Sequence, residues 1–232
     1  MDITKIAEVP ELEVQRGRHR VVEQRQIAPD AYHLLIERRG LAFDAGRLVT
    51  LHGRDVTEDR SYTIASGERD EHLSILYRLI PSGVLTPQLV QLRTGDEVEL
   101  SGPYGQFVVR DPSQPLCFIA TGTGVAPCRA YARTYPNVDL TLVHGVRSAD
   151  DLFFRAEFES FNYVPCLSKE EEAGCYSGRV TDWLERNPQG ADVHYYLCGA
   201  YEMIYDVQDL LIAQGVPPEH IYTEGYYYRL ET

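Results

Sequence analysis

The sequence predicts two domains, an N-terminal antiparallel β-barrel or sandwich followed by an α/β domain on a parallel sheet. Three observations predict this. Up to about residue 110, short apolar or alternating runs recur between turn residues, the rhythm of an all-β fold. After Asp111-Pro112-Ser113, strands alternate with helical stretches, as in βαβ units. The stretch Leu116–Arg133, LCFIATGTGVAPCRAYAR, joins five apolar residues to a glycine turn and a helix start. The division is a tail over 1–15, a β-domain over 16–112 and an α/β domain over 113–232.

In the β-domain the expected strands are His19–Gln26, Ala31–Glu37, Leu48–His52, Ser61–Ala65, Leu73–Ile80 and Glu97–Leu100. Ala28-Pro29-Asp30, Arg39-Gly40, Gly67, Pro81-Ser82-Gly83 and Thr94-Gly95-Asp96 separate them. One short helix interrupts the series, with Thr86 as N-cap, Pro87 first and Leu89, Val90 and Leu92 as its apolar face. In the α/β domain, strands Leu116–Ala120, Asp139–His144 and His194–Leu197 alternate with helices near Ala126–Thr134, Asp150–Phe161, Val180–Arg186 and Tyr201–Gln214.

The turn Thr121-Gly122-Thr123-Gly124 carries the first chemical signal. Two glycines let a backbone approach a ligand with no Cβ between them. Pro127 suits a first helical position, where an N–H would be unpaired anyway. The helix N-terminus behind the turn favours an anion such as a pyrophosphate. Pro127 stands where a G-x-G-x-x-G fingerprint has its third glycine, so the turn by itself equally suits a plain strand–turn–helix connection.

Composition narrows the classes. A 232-residue chain that is 44% hydrophobic has enough apolar residues for real cores. The net charge of −13 disfavours nucleic acid and anionic membrane as partners. It is uneven: residues 113–232 hold 8 basic against 17 acidic side chains, whereas residues 1–112 hold 14 against 18. The five cysteines form no C-x-x-C pair, which predicts neither a disulfide framework nor a metal or iron–sulfur site and suits a reducing cytoplasm. The first residues lack a basic, then apolar, leader pattern, and no run is long enough to cross a membrane as a helix.

Four stretches align in order: Arg60-Ser61-Tyr62-Thr63 (R-x-Y-[ST]), Gly83-Val84-Leu85-Thr86-Pro87 (G-x-x-[ST] at a helix start), the Gly122–Pro127 turn, and Cys198-Gly199 after an apolar strand. Together they resemble the ferredoxin–NADP(+) reductase family over about residues 16–228, and the 83–89 run and Thr223-Glu224-Gly225-Tyr226-Tyr227 are most similar to its bacterial ferredoxin/flavodoxin reductases. The resemblance implies a Greek-key FAD-binding barrel, a Rossmann-like NADP-binding sheet and a flavoprotein enzyme. That enzyme would exchange hydride between NADPH and FAD, and single electrons with ferredoxin or flavodoxin.

It also implies roles by position. Arg60 would bind the FAD pyrophosphate through charge-assisted hydrogen bonds, Tyr62 would stack on the isoalloxazine, and the Thr63 hydroxyl would lie near the hydride-accepting N5. Gly83 and Thr86 would offer an N–H and a hydroxyl to the FAD phosphates. Gly102-Pro103-Tyr104-Gly105-Gln106-Phe107 matches a structural turn of the family. Gly122, Thr123, Gly124, Pro127 and Gly199 would hold the dinucleotide. Arg147, Lys169 and Arg179 match the clamp for a 2′-phosphate, favouring NADPH over NADH. Cys198 would sit beside the nicotinamide. Glu224 would exchange a proton with the flavin or stabilise its half-reduced form. Tyr226 or Tyr227 would stack on the isoalloxazine or the adenine. Arg16, Arg18, Arg20, Arg38 and Arg39 are candidates for docking an acidic carrier, which predicts a rate that falls as salt rises. The other readings are a reductase component serving an oxygenase, a cytochrome or free flavin, and a non-catalytic electron-transfer subunit or nucleotide-binding module.

Overall fold

The computed structural model describes residue 9, residues 11–54 and residues 58–226. These divide into two compact units. One runs up to Arg110 and takes in Arg129–Thr134; the other joins Asp111–Cys128 to the chain from Tyr135 onward.

The first unit is a six-stranded antiparallel sheet rolled toward closure. Its strands are β1 (Gln15–Ala28), β2 (Ala31–Glu37), β3 (Leu48–His52), β4 (Asp59–Thr63), β5 (His72–Arg78) and β6 (Glu97–Tyr104), in the order β4-β3-β6-β1-β2-β5. The edge strands are joined just beyond β4, where Ile64 bridges Ile75 and the Ala65 N–H donates to the Ser74 carbonyl at 2.7 Å. β1 makes the roll possible by changing partner. Its first half pairs with β6 and its second half with β2, with a register break after Val21. This strand is longer than predicted at both ends. Its first residues are polar, and their side chains are satisfied across the sheet: Arg16 pairs with Glu99 at 2.7 Å and Arg18 with Glu97 at 3.7 Å. The core inside includes Leu34, Ile36, Val49, Leu51, Ile64 and Tyr77.

Helix α1 (Leu85–Leu89) begins two residues before the predicted start, with Val84 rather than Thr86 at its N-cap. Thr86 is therefore inside the helix and is not its cap. Buried at 7% exposure, its hydroxyl donates to the Ile80 carbonyl at 3.2 Å and accepts the Ile80 N–H at 2.9 Å. Gly102 and Pro103 belong to β6 rather than to a turn.

The second unit is a parallel sheet: β7 (Leu116–Thr121), β8 (Leu140–Val146), β9 (Asn162–Leu167), β10 (Tyr176–Ser177), β11 (His194–Ala200) and β12 (Ile221–Tyr226), ordered β10-β9-β8-β7-β11-β12. Its helices are α2 (Ala126–Thr134, shared with the first unit), α3 (Val180–Arg186) and α4 (Tyr201–Ala213). Central strands such as β7 are buried on both faces and read as unbroken apolar runs. On one face Cys117, Ile119, Val143, Cys166, Tyr195 and Leu197 pack with α3 and α4 residues, among them Leu184, Met203, Ile204, Val207 and Leu211. On the other, Phe118, Tyr196 and Tyr222 share one register position and stack across three strands, 4.9 and 4.6 Å between centroids.

The predicted helix over Asp150–Phe161 does not form. Only two short 3-10 turns occur there, Ala149–Asp151 and Arg155–Phe158. Three consecutive large apolar residues, Leu152, Phe153 and Phe154, cannot share one helical face, and Phe154 takes a left-handed conformation (φ 59°) that stops a helix. No helix among the described residues is long and apolar enough to cross a membrane.

Candidate functional site

In the β unit, the residues expected to meet a flavin lie on β4. Arg60 is exposed; its guanidinium pairs with Glu58 and donates to the Asp59 carbonyl at 2.9 Å. An exposed pair of this kind is weak, so a phosphate could replace Glu58 as the partner. Thr63 is buried at 4% exposure. Tyr62 lies edge-on to Tyr77, 6.2 Å between centroids at 68°, and Tyr77 stacks on Tyr32 at 5.5 Å. Burial pushes the Tyr62 and Tyr77 phenols well above their ordinary range, so both stay protonated. The Tyr77 hydroxyl donates to Gln24 Oε1 at 3.0 Å, and Gln24 Nε2 donates to the Leu89 carbonyl at 2.8 Å, tying the aromatic cluster to the end of α1.

Sequence reasoning missed Tyr32, Tyr77 and Gln24. Tyr32 and Tyr77 face each other in the β2–β5 register, a pairing visible only once that register is known. Gly83 and Thr86 do not offer the free groups expected of them. The Gly83 N–H donates to the Ile80 carbonyl at 2.9 Å, and Ile80 also accepts the Thr86 hydroxyl proton. Of the five arginines proposed for docking, Arg20 is exposed and the other four are engaged. Besides the Arg16 and Arg18 pairs, Arg38 donates to the Leu41, Glu68 and Asp70 carbonyls and Arg39 to that of Arg18.

In the α/β unit, strand order reverses direction between β7 and β11, a topological switch point beyond whose carboxyl ends ligands bind in such sheets. The glycine turn leaves β7 there. It is a 3-10 helix, Gly122–Val125, that runs directly into α2, so Pro127 is the second residue of α2 rather than the first. The two turn glycines do different things. Gly122 has φ +54°, and a Cβ built on it would meet nothing within 4 Å. Gly124 faces inward: a Cβ there would lie 2.2 Å from the Cys198 carbonyl oxygen. Only Gly122 has the open approach expected of both. Gly199 (φ +138°) presses the end of β11 against Thr121, whose Oγ1 accepts the Ala200 N–H at 3.0 Å. Thr123 is buried at 7% exposure.

Cys198 is fully enclosed at this point. The register pairs it with Ala120 on β7 and Glu224 on β12, so the three side chains share one face. Burial pushes its thiol well above the ordinary range; the Glu224 charge adds to that and a hydrogen bond with Tyr226 opposes it. Cys198 is therefore a neutral, small, soft wall, not a thiolate. Tyr226 is at the end of β12 opposite Ala200; Tyr227 lies outside the described residues.

Arg147, Lys169 and Arg179 follow the ends of β8, β9 and β10. The Lys169 N–H donates to the Arg147 carbonyl at 3.1 Å and the Gly178 N–H to that of Leu167 at 2.8 Å, which brings the three segments side by side. Arg179 caps α3, its N–H held by Asp182 at 3.0 Å. All three side chains are exposed, and among the described residues none carries an ion pair. An anion would meet three uncommitted cations.

Comparison with known proteins matches an oxidoreductase FAD-binding domain to residues 19–109 and an oxidoreductase NAD-binding domain to residues 118–209. The electron transfer component of toluate 1,2-dioxygenase from Pseudomonas putida is 33% identical over 199 residues, 80% of this chain; the chain spans 59% of that relative's length. A solved cytochrome P450 reductase from Amycolatopsis is 31% identical with a TM-score of 0.86, covering 96% of this chain and 73% of the other. A ferredoxin NADP+ reductase from Neisseria gonorrhoeae, solved with FAD and NADP, shares the fold at 20% identity, with a TM-score of 0.83 over 91% of this chain and 99% of the other.

Proposed function

The chain belongs to the ferredoxin–NADP(+) reductase family of FAD- and NAD-binding oxidoreductases, and from that premise we propose that it takes hydride from NADPH onto FAD and hands electrons singly to a separate ferredoxin or flavodoxin. Residues 16–112 are taken as the flavin domain and 113–232 as the nicotinamide domain. The reading is carried by the carboxyl edge of the parallel sheet. There the open Gly122, the neutral Cys198 and the uncommitted Arg147, Lys169 and Arg179 occupy successive strand ends.

The residues present fit the two groups. In the β unit Tyr62 offers a half-buried ring, Arg60 a replaceable ion pair and Thr63 a hydroxyl; Gly83 and Thr86 hold the Ile80 loop at the start of α1, where the FAD phosphates are proposed to lie. In the α/β unit the turn Gly122–Thr123–Gly124, ahead of Pro127, receives the pyrophosphate, with Gly199 closing the strand end beside it. Bound FAD supplies the conversion of a two-electron donor into single electrons. Cys198 leaves room for the nicotinamide and, staying protonated, adds no charge beside it. Glu224, across the register from Cys198, is placed to hold a proton at that edge, and Tyr226, opposite Ala200, stands beside it as the residue proposed to shield the site.

The three uncommitted cations favour a 2′-phosphate, hence NADPH. Replacing Arg179 by Gln is expected to lower kcat/KM for NADPH by about ten- to a hundredfold, the worth of one charge-assisted contact. The value for NADH should move less than twofold. Equal loss for both dinucleotides would remove the preference from this residue.

A second reading has its own support. The toluate dioxygenase and cytochrome P450 relatives favour a reductase component serving an oxygenase or a cytochrome, and the engaged arginines of β1 and of the 38–39 turn weaken the case for an acidic carrier docking there. Turnover measured with ferredoxin, flavodoxin and an oxygenase component, at low and high salt, separates the two. A rate with ferredoxin that falls steeply with salt supports the carrier; one indifferent to salt supports the oxygenase. All five cysteines are free thiols, which suits a reducing, cytoplasmic setting.

A further inference from the structure

His144 is the one imidazole buried to 0% exposure among the described residues, in the middle of β8, and no role has so far been given to it. Its register position continues the row of Cys198 and Ala120, so its side chain is on the same face of the sheet. Nε2 lies 3.0 Å from the carbonyl oxygen of Gly122, and Nδ1 lies 3.3 Å from the Tyr163 hydroxyl. Tyr163 is held in turn against Phe158, 5.5 Å between centroids.

A carbonyl can only accept, so Nε2 carries the proton and donates it to Gly122. In a neutral ring Nδ1 is then an acceptor and takes the Tyr163 O–H. The order of donation is Tyr163 to His144 to Gly122. A trans peptide holds its C=O and the following N–H on opposite sides. Fixing the Gly122 carbonyl toward the buried ring therefore turns the Thr123 N–H the other way. Gly122 gains from such a hold: it has φ +54° at the first position of the 3-10 turn, with no side chain of its own, so beyond the turn's own backbone hydrogen bonds it is His144 that fixes its carbonyl.

We propose that His144 is a positioning residue for the dinucleotide: from beneath the sheet it fixes the orientation of the Gly122–Thr123 peptide, and through it the donors presented to the pyrophosphate. This rests on the reading of Gly122–Pro127 as the dinucleotide turn. The test uses the FAD-loaded protein and NADP+, or NAD+ if the wild-type protein oxidises NADH instead, with affinity measured by titration calorimetry and steady-state constants measured alongside. His144→Phe and His144→Asn, which cannot place a donor at Nε2, are expected to weaken binding and raise KM about tenfold, with kcat changed less than twofold. His144→Gln, whose amide nitrogen falls close to Nε2, should stay within about threefold of wild type. Flavin content and visible spectrum should be unaltered in all three.

Unchanged affinity in the Asn and Phe variants would overturn the proposal. So would equal weakening in Gln and Phe, which would mean that only packing matters. If Phe prevents folding, the Gln and Asn pair decides the matter alone. Failure of the underlying reading looks different: the wild-type flavin itself would not be reduced by either dinucleotide.

Discussion

The two glycines of the turn after β7, proposed to hold the dinucleotide, look interchangeable in the sequence and are not. Gly122 needs its positive φ but has room, so Gly122→Ala bears only the conformational cost of a non-glycine residue there, about 1–2 kcal/mol. Gly124 has an ordinary backbone but no room: a methyl would sit 2.2 Å from the Cys198 carbonyl oxygen, forcing strand and turn apart. Thermal unfolding of the two Ala variants should therefore show the larger loss at Gly124, by about 2 kcal/mol or more. Only Gly122→Ala should retain near-native stability while raising KM for the dinucleotide. The opposite order would mean the turn is packed differently from the way it is described here. The strand, glycine turn and helix start were legible from the sequence, and they fall inside the matched NAD-binding domain. Which glycine does what was not, because it depends on the carbonyl of residue 198, brought in from a strand more than seventy positions away.

At the scale of elements, apolar runs bounded by turn residues located most strands, and α2 and α3 fall where their patterns placed them. Misses occurred where the pattern was set by partners. The first residues of β1 are polar because Glu97 and Glu99 wait across the sheet. Half of β12 is tyrosine and glycine, and its Tyr222 ring is taken up by a stack with Tyr196 on the neighbouring strand. The apolar run before Phe158 reads as a helix but cannot bury three adjacent large side chains, Leu152, Phe153 and Phe154, on one helical face. Helix α2 makes a further prediction. Its last residues belong to the β unit: Arg129, 7% exposed, donates to the Ala65 carbonyl at 2.9 Å and to Ser74 Oγ at 3.0 Å, and Arg133 grips both carboxylate oxygens of Asp70 at 2.6 and 3.1 Å. Burial would raise the Asp70 pKa, but the Arg133 hydrogen bond and the Gly67 N–H outweigh it, and the net direction is down. Arg129→Met strands buried acceptors and is expected to cost about 2–3 kcal/mol in denaturant unfolding. Arg133→Gln, more exposed, should cost about 1 kcal/mol or less. Equal costs would show that Arg129 is not the buried anchor.

Across the whole molecule, all five cysteines fall at or beyond residue 117, and four of them, at positions 117, 128, 166 and 198, are buried. Burial raises each thiol, Cys117 and Cys166 to about 12 and Cys128 and Cys198 well above their ordinary value. In the unfolded chain the same thiols ionise near pH 8.5. Between that pH and about 12 the folded state holds protons that the unfolded state has lost, so stability falls as pH rises. Below pH 8 the thiols are protonated in both states and contribute no slope. One group changes stability by about 1.4 kcal/mol per pH unit, so four together approach about 5 kcal/mol per unit once past the unfolded value. The buried phenols, raised as well, join only above about pH 10, where an unfolded tyrosine begins to ionise. Denaturant midpoints of the FAD-loaded protein at pH 7.5 and 9.5 should therefore differ strongly, and the loss should appear as failing dinucleotide affinity before flavin is released, because no cysteine lies in the β unit. Replacing Cys117 and Cys166 by Ala should remove about half of the slope. A midpoint flat through pH 9.5 would mean that these thiols meet water in the folded protein, and that Cys198 is not the neutral wall proposed for the nicotinamide side.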